Sequence, residues 1–470
     1  MRKRRELRDP IHGFIERRET EERIIDTPVF QRLRGIKQLA MAYLAYPGAT
    51  HTRFDHSIGV MHIAGRLAMQ LIDDQEERRM VRLAALLHDL GHGPFSHISE
   101  DVLDRYYDKA KVRPEAKEKI HEHLTCNLIE RDKEIVKLLS EYEREKIVGL
   151  LLGTSGRSIC HGIISGPLDA DKQDYLLRDS YFCGVKYGVF DLERLIGTLE
   201  VYHHFDDEIL AAARDGVYAI EQFVLAKYHM TAQVYCHKIR LVSDAMIVRA
   251  LELGIEVDKI EWLRRLYAYD GSDQYIQNYL QWDDQRLTTQ LLFPGNSGGH
   301  ATELFWRLRN RNLFKRVFAV PLREFEDPGS REILSNINKE NELGFRKKVE
   351  SLISEFLSSG TGQEVPALYT IVRAFTIKSV REKTPNPEGS ITILTDGTPK
   401  RFEDESSLFE SIESRESEEH LEVYAPVTFR DDMEKRKKRE EFGKGIRDIL
   451  NKAARGEKRK EKGKGGQDDS

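Results

Sequence analysis

The chain has 470 residues, 40% of them apolar and 33% charged, with a mean hydropathy of -0.54; it is too long for one compact core and too polar for a membrane protein. Its 74 Lys and Arg stand against 79 Asp and Glu, a formal charge of -5, which excludes a surface that embraces nucleic acid all round and leaves local basic patches only. Four cysteines (Cys126, Cys160, Cys183, Cys236) fall into no C-x-x-C spacing, so neither a zinc ribbon nor a disulfide framework is indicated, and a reduced, cytoplasmic protein is expected.

Met1 to Arg5 is basic, but Asp9, Pro10 and His12 follow where a signal peptide needs an apolar run, so no leader is expected. The longest apolar stretches, such as Ile147 to Leu152, fall far short of the ~20 residues that cross a bilayer, and no membrane partner is expected. Thr27-Pro28 reads as an N-cap and first helical residue, with Asp26 near the positive helix end. From Asp26 to about Gly254, spacings of three and four dominate: Ile58, Met61, Ala64, Leu67, Ala68 and Leu71, then Leu83, Leu86, Leu87 and Leu90. This predicts an all-helical region. Val217 to Leu253 has no Pro or Gly and predicts one long helix. Breakers at Tyr46-Pro47-Gly48, Gly91-His92-Gly93-Pro94, Gly153 to Gly156 and Gly162 to Pro167 predict the loops that rim a cavity.

Beyond about Pro321 the period changes. Tyr369 to Val380 is rich in β-branched and aromatic residues, and Ile391 to Leu394 leads into Asp396-Gly397, a hairpin signal. Glu403 to Glu419 holds eight carboxylates against one Arg and predicts a solvated helix face or loop. From Arg430 to Ser470, fifteen Lys and Arg meet ten Asp and Glu with almost no apolar residue after Leu450, which predicts a disordered basic tail able to bind nucleic acid weakly. The fold class expected is mainly α: a helical domain over 1–320, a smaller α+β lobe over 321–430, and the tail over 431–470.

His88-Asp89 closes the apolar stretch Val81 to Leu90, and eight of the sixteen histidines (His51, His56, His62, His88, His92, His97, His121, His123) fall in one part of the chain. Borderline divalent metals are bound by such imidazole and carboxylate sets. His88-Asp89-Leu90-Gly91-His92 imitates the H-E-x-x-H of zinc peptidases, but that motif needs a helix running through the second His. Gly91, Gly93 and Pro94 end the helix at the doublet, and Asp reaches less far than Glu, which disfavours a peptidase.

Three ordered motifs point elsewhere: Thr50-His51-Thr52-Arg53-Phe54-Asp55-His56-Ser57, then His88-Asp89-Leu90-Gly91-His92-Gly93-Pro94-Phe95-Ser96-His97, then Asp169-Ala170-Asp171-Lys172-Gln173-Asp174-Tyr175. Together they resemble the HD-superfamily phosphohydrolases, within them the deoxynucleoside triphosphate triphosphohydrolases of the SAM-and-HD-domain and bacterial dGTPase types, from about Arg8 to Lys238. The resemblance implies an HD-type helical core and His56, His88, Asp89 and Asp171 as metal ligands. Two imidazoles and two carboxylates suit a divalent ion (Mn, Mg, Fe or Zn) and leave room for water and a phosphate oxygen. Arg53, one helical turn from His56, reads as a phosphate clamp. His97 and His121 are the expected acid/base groups, with His92 in support. Glu100 reads either as the group that orients His97 or as a surface carboxylate, and Glu122 with His123 reads as an exposed helix face.

Asp171, Tyr175 and Asp179 recur at i, i+4 and i+8 and share one helical stripe. By resemblance Tyr175 packs under the sugar where a 2′-hydroxyl would go, Asp179 bonds the 3′-hydroxyl and Gln38 lies near it. Lys172 and Lys227 would meet phosphates and Tyr235 the sugar or base. Lys227 stands where a relative has Arg, which loses a bidentate contact, and Cys236 replaces a polar residue. Arg8-Asp9-Pro10-Ile11-His12-Gly13 also matches, as does the segment from Asp26 to Arg34. There Asp26, Gln31 and Arg34 match a guanine-reading activator site between the subunits of a homo-oligomer, a dimer or tetramer. Asp accepts from guanine N1 and N2, while Arg and Gln donate to its acceptors.

The expected activity is metal-dependent hydrolysis of dNTPs to deoxynucleoside and inorganic triphosphate, serving dNTP pool control or antiviral nucleotide depletion. Competing readings are an HD phosphohydrolase acting on nucleoside monophosphates or cyclic nucleotides, which Arg53, Lys172 and Lys227 disfavour; a nuclease or nucleic-acid-binding protein, favoured only by the basic tail; and a nucleotide sensor without turnover, disfavoured by the intact ligand set.

Overall fold

The apolar stripe from Ile58 to Leu71 lies on a helix, Arg53–Leu71, whose first turn is closed by a reciprocal cap: Thr52 accepts from Asp55 N, and Asp55 accepts from Thr52 N at 2.9 Å. In the computed structural model, which describes residues 6–114, 120–205, 207–293, 298–377, 390–411 and 418–464, this helix packs against Gln75–Leu87 on one side and Ala170–Cys183 on another. Met61, Leu67, Leu83, Leu87 and Leu176 are fully buried; each such side chain contributes about 1.5–3 kcal/mol relative to exposure. Helix Gln75–Leu87 stops at His88. Helix Ala170–Cys183 starts from the Asp169 cap, which accepts the Lys172 N–H at 2.7 Å, and ends at Gly184 in the left-handed conformation. The start of one helix, the end of the second and the start of the third thereby place the three ordered motifs.

Strands are few and short. An amino-terminal hairpin joins β1 (Glu6–Asp9) to β2 (Gly13–Glu16). β3 (Leu199–His204) and β4 (Asp207–Ala213) follow, then β5 (Lys315–Pro321), β6 (Ile371–Ile377), β7 (Thr392–Thr395), β8 (Thr398–Arg401) and β9 (Glu418–Ala425). One sheet has the order β3-β4-β7-β8, with β7 parallel to β4 and Ala211 opposite Thr392. The Asp396-Gly397 signal is met by the β7–β8 turn, where both residues have positive φ, 51° and 75°. The other sheet is antiparallel, β5-β9-β6.

The chain divides into two compact units, Met1–Tyr235 with Ile260–Phe293 and Val380–Arg415, and Cys236–Lys259 with Pro294–Ser379 and Glu416–Ser470. These do not follow the boundaries expected near residues 320 and 430. The β7–β8 hairpin pairs with β4 and so belongs to the first unit, while helices Lys238–Glu256 and His300–Arg309 belong to the second.

Two expectations are corrected, on the long helix and on the tail, and that of a solvated helix face in the acidic stretch is met in part. Val217–Leu253 is not one helix: Val217–Met230 runs into a π turn, Thr231–Tyr235, and a new helix, Lys238–Glu256, starts with His237 Nδ1 accepting the Ile239 N–H at 3.3 Å. The wide turn is held by the Tyr235 hydroxyl, which donates to Asp179, a long-range bond that no local pattern announces. The basic tail is helical over Asp432–Lys464, because Phe442, Ile446, Leu450 and Ala454 form a buried stripe in the core of the second unit, beside Val349, Ile353 and Leu421; residues 465–470 lie outside those described. The acidic stretch carries two short helices, Phe402–Glu405 and Ser407–Ser411, with Phe402 and Phe409 buried. Among the described residues, no helix is long and apolar enough to cross a membrane.

Candidate active site

His56 is completely buried on the second turn of its helix. Its Nδ1–H donates to Asp174 Oδ2 at 2.8 Å, and its Nε2 lies 2.9 Å from Asp171 Oδ1. Burial alone would lower its pKa, yet the hydrogen bonds to Asp171 and Asp174 raise it to about 10. Asp171 opposes its own burial through the same contact and sits far below the carboxylate range. His88 caps its helix in helical conformation and donates Nδ1–H to the Ala85 carbonyl at 2.8 Å. That tautomer leaves the lone pair of Nε2 pointing away from the helix, 3.3 Å from Asp89 Oδ1 and 3.9 Å from Asp171 Oδ1, buried and without a hydrogen-bond partner among the described residues.

Ligand atoms of His56, His88 and Asp171 all lie within 4.8 Å of one another, and Asp89 Oδ2 is 3.8 Å from His56 Nε2. Three of the four expected ligands thus form one group, and Asp89 lies beside it, with one oxygen near each imidazole. The orphaned His88 nitrogen and the mixed imidazole and carboxylate set fit a divalent ion.

Arg53 holds one edge of this set. Its Nη1 donates to Asp89 Oδ2 at 2.7 Å and its Nε to Ser96 Oγ at 3.0 Å, while Nη2 is buried without a partner among the described residues. The guanidinium keeps Asp89 ionised against the cost of burial.

A second cluster surrounds Glu100. Its Oε1 lies 3.0 Å from Nδ1 of both His97 and His92, its Oε2 2.8 Å from His121 Nδ1, and the His92 and His121 rings stack at 4.1 Å. Glu100 is thus largely buried among imidazoles, not a surface group; burial would raise its pKa, but the imidazoles hold it well below the usual range. Donor atoms here also lie within 4.8 Å of one another; all three imidazoles face the same carboxylate, with hydrogen-bond geometry met by His97 alone. His123 does not face solvent as expected: it is buried, with Nε2 2.7 Å from the Tyr269 hydroxyl and Nδ1 accepting the Arg113 N–H.

The loop between these clusters is strained. Phe95 and Ser96 have φ of 63° and 55°, conformations that non-glycine residues seldom adopt. Three distant groups hold it. Asp284 accepts the Phe95 N–H at 2.6 Å and the Lys37 N–H at 3.0 Å, and burial pushes its carboxyl up to about 6. Arg32 donates to the carbonyls of Trp282 and His92, both at 2.9 Å, and Tyr279 donates to Gly91 O at 2.8 Å. Gly91 is required because a Cβ would collide with the His121 carbonyl and the Thr125 N–H.

One cleft is lined by Gln38, Arg53, His88, Asp89, His92, His97, His121, Asp171, Lys172 and Tyr175, with Glu122, Thr125 and Cys126. The Lys172 ammonium binds Asp169 and the Gly166 carbonyl. Asp179 and Tyr235 come together at 2.7 Å, with His51 Nε2 on the other Asp179 oxygen, also at 2.7 Å; the Tyr175 ring is 6.3 Å from that of Tyr235. Neither Asp179, Tyr235 nor Lys227 is among the lining residues. Of the expected activator residues, Arg34 donates to Gln31 Oε1 at 2.9 Å and lies over the Phe54 ring, Gln31 donates to the Ile25 carbonyl at 2.7 Å, and Asp26 caps the preceding helix in an exposed position. Sequence reasoning missed Asp174, Asp284 and Arg32; for Asp174 the signal was its place one turn past Asp171 on the same helix.

The HD domain matches residues 53–167, and the HD-associated region matches residues 190–445. An uncharacterised protein of Methanocaldococcus jannaschii is 30% identical over 423 residues, 89% of this chain and 79% of that one. Human deoxynucleoside triphosphate triphosphohydrolase SAMHD1 is 33% identical over 347 residues, 66% of this chain and 54% of that one. The crystal structure of a phosphohydrolase from Bacteroides thetaiotaomicron superposes with a TM-score of 0.68 at 27% identity, covering 90% of this chain and all of that one. A histidine-rich helical core with an HD doublet at a helix end, and matches that together span most of the sequence, lead to one conclusion: the chain is a member of the HD-domain phosphohydrolase family.

Proposed function

We propose that the protein hydrolyses deoxynucleoside triphosphates to deoxynucleoside and inorganic triphosphate. The observation that carries this reading is the composition of one cleft, in which three of the four expected ligands (His88, Asp89 and Asp171), the Arg53 fork, Lys172 and the Tyr175 ring face a common space. His56, His88, Asp89 and Asp171 would hold a divalent ion, which when bound would supply Lewis acidity toward a phosphate oxygen and toward water.

The side chains divide the remaining work. Arg53 Nη2, already desolvated, is placed to donate to a phosphate oxygen. Lys172 reaches the phosphates by leaving Asp169, a partner on its own helical turn. Water bonds to the α-phosphorus, the bond to the 5′ oxygen breaks, and that oxygen takes a proton from the cluster His92, His97 and His121, each facing Glu100; the proton the water gives up leaves with the triphosphate or to solvent. Tyr175, one turn past Asp171, sets the sugar preference by occupying the space beside C2′, and Asp179 with Tyr235 forms the polar group beyond it.

A guanine nucleotide at Asp26, Gln31 and Arg34 in a homo-oligomer completes the proposal. It must break the Arg34–Gln31 bond, so binding there changes the local arrangement. The relative named as a dNTP triphosphohydrolase supports the substrate class.

The test is incubation with each dNTP and NTP plus Mn2+ or Mg2+, with and without GTP, and identification of products by mass. Triphosphate with deoxynucleoside is expected, with GTP raising the rate. Pyrophosphate with monophosphate, or turnover of monophosphates and cyclic nucleotides alone, overturns the reading.

A further inference from the structure

Asp174 sits at the centre of a buried network that does not line the cleft. Besides His56 Nδ1, its Oδ2 accepts Arg178 Nε at 2.8 Å. Its Oδ1 faces His12 Nε2 at 2.7 Å and Arg178 Nη2 at 2.9 Å. Arg178 Nη1 donates to Asp9 Oδ2 at 2.8 Å. Asp9 Oδ1 in turn accepts the N–H groups of Ile11 and His12, at 2.8 and 2.9 Å, and so shapes the turn between β1 and β2. Asp174 and Arg178 are completely buried, Asp9 is 7% exposed, and the His12 side chain is 2% exposed.

Fold stability alone does not account for such a cluster. Removing each ion from water costs several kcal/mol, and well-packed apolar side chains in its place are often neutral or stabilising. The neighbouring helix is also adapted to it: a Cβ at Gly59 would collide with Asp174 Oδ1 and Arg178 Nη2. Gly inside Arg53–Leu71 forfeits about 1 kcal/mol of helix propensity relative to Ala. What the network does reach is His56. A carboxylate on Nδ1–H fixes the ring, selects the tautomer with its lone pair on Nε2 and makes that nitrogen a better donor to an ion. A carboxylate with four hydrogen bonds cannot turn away.

We infer that the amino-terminal hairpin is a positioning element of the metal centre: His12 and Asp9 of β1–β2, acting through Arg178 and Asp174, hold the His56 imidazole in its ion-binding orientation. This rests on the metal-centre reading given above. The hairpin thereby sets the affinity for the ion from outside the cleft, without touching ion or nucleotide.

The experiment is Mn2+ titration of the full chain after chelator treatment, read by electron paramagnetic resonance, with the unfolding midpoint of the ion-free protein as a second readout. His12→Ala weakens Mn2+ binding about 10-fold to 100-fold. His12→Gln, whose amide nitrogen can donate to Asp174, restores most of it. Asp9→Asn, which keeps the acceptor for the turn and loses the charge facing Arg178, also weakens binding and serves if His12→Ala does not fold. His88→Ala is the control. If His88→Ala abolishes Mn2+ binding while His12→Ala and Asp9→Asn bind as wild type, lowering only the unfolding midpoint, the hairpin is merely structural and the inference is overturned alone. If His88→Ala binds Mn2+ as wild type, the metal-centre reading beneath it is overturned.

Discussion

Arg53 faces two ways. Two of its nitrogens serve Asp89 and Ser96, and the third is desolvated without a partner among the described residues, so on the proposed function the same fork that steadies an expected metal ligand presents a donor to substrate. Lys cannot reproduce that geometry. Arg53→Lys is expected to lower kcat/KM about 100-fold, the usual effect of removing one positioned donor, with the unfolding midpoint little changed; steady-state kinetics and calorimetry on one preparation check both. Burial and the neighbouring Arg113 lower the pKa of His123 to about 4, against about 6.5 in the unfolded chain. Between those values the unfolded state binds more protons, so stability falls as pH drops from about 6.5 to 4 and this contribution is flat outside that window. His123→Gln should shrink the difference in urea midpoint between pH 7 and pH 4.5; an equal difference in both proteins would show that His123 does not titrate on unfolding. At this scale the grouping of His56, His88 and Asp171 was anticipated through the family resemblance, since imidazole and carboxylate chemistry alone left eight clustered histidines to choose from. His123 was not, because its partners Arg113 and Tyr269 lie outside its own helix face.

Secondary-structure elements carry the site through their ends. Helix Gln75–Leu87 terminates where Gly91, Gly93 and Pro94 demand it, the Thr52 cap starts the helix that bears Arg53 and His56, and Asp169 starts the one that bears Asp171. Those signals are local and could be read. The pinning of the strained Phe95-Ser96 loop could not, since Asp284 is separated from it by almost two hundred residues and sits at the first position of a short helix. Asp284→Ala orphans the buried Phe95 N–H and the half-buried Lys37 N–H and should cost about 1–3 kcal/mol for the first and less for the second, with a fall in kcat as the loop bearing His92 and His97 relaxes. Asp284→Asn retains an acceptor and should lose much less. Equal urea midpoints for the Ala variant and wild type would show that the loop holds itself. The break at Cys236-His237 was hidden for a related reason: no Gly or Pro marks it, and the π turn depends on the Tyr235–Asp179 bond.

For the whole molecule, composition misled at the carboxyl terminus. Helix Asp432–Lys464 is strongly charged, yet Phe442, Ile446 and Leu450, at spacings of four, are enough to seat it in the second unit's core. Phe442→Ala should destabilise that unit by about 3–5 kcal/mol, and truncation after Arg430 should make the protein aggregate instead of merely removing nucleic-acid binding; analytical ultracentrifugation distinguishes the two. A soluble truncated chain with full activity would show the helix to be dispensable. The interleaving of the units has a further consequence during synthesis. A ribosome delivers β3 and β4 long before β7, and the segments that complete the second unit's core emerge in between and afterwards. The histidine-bearing helices can assemble from contacts already delivered, but Ala211 to Ala213 must wait with an open strand edge until Thr392 to Leu394 arrive. A nascent chain halted before that point exposes a template for pairing with other chains, so the interval between β4 and β7 is where this protein most needs a chaperone.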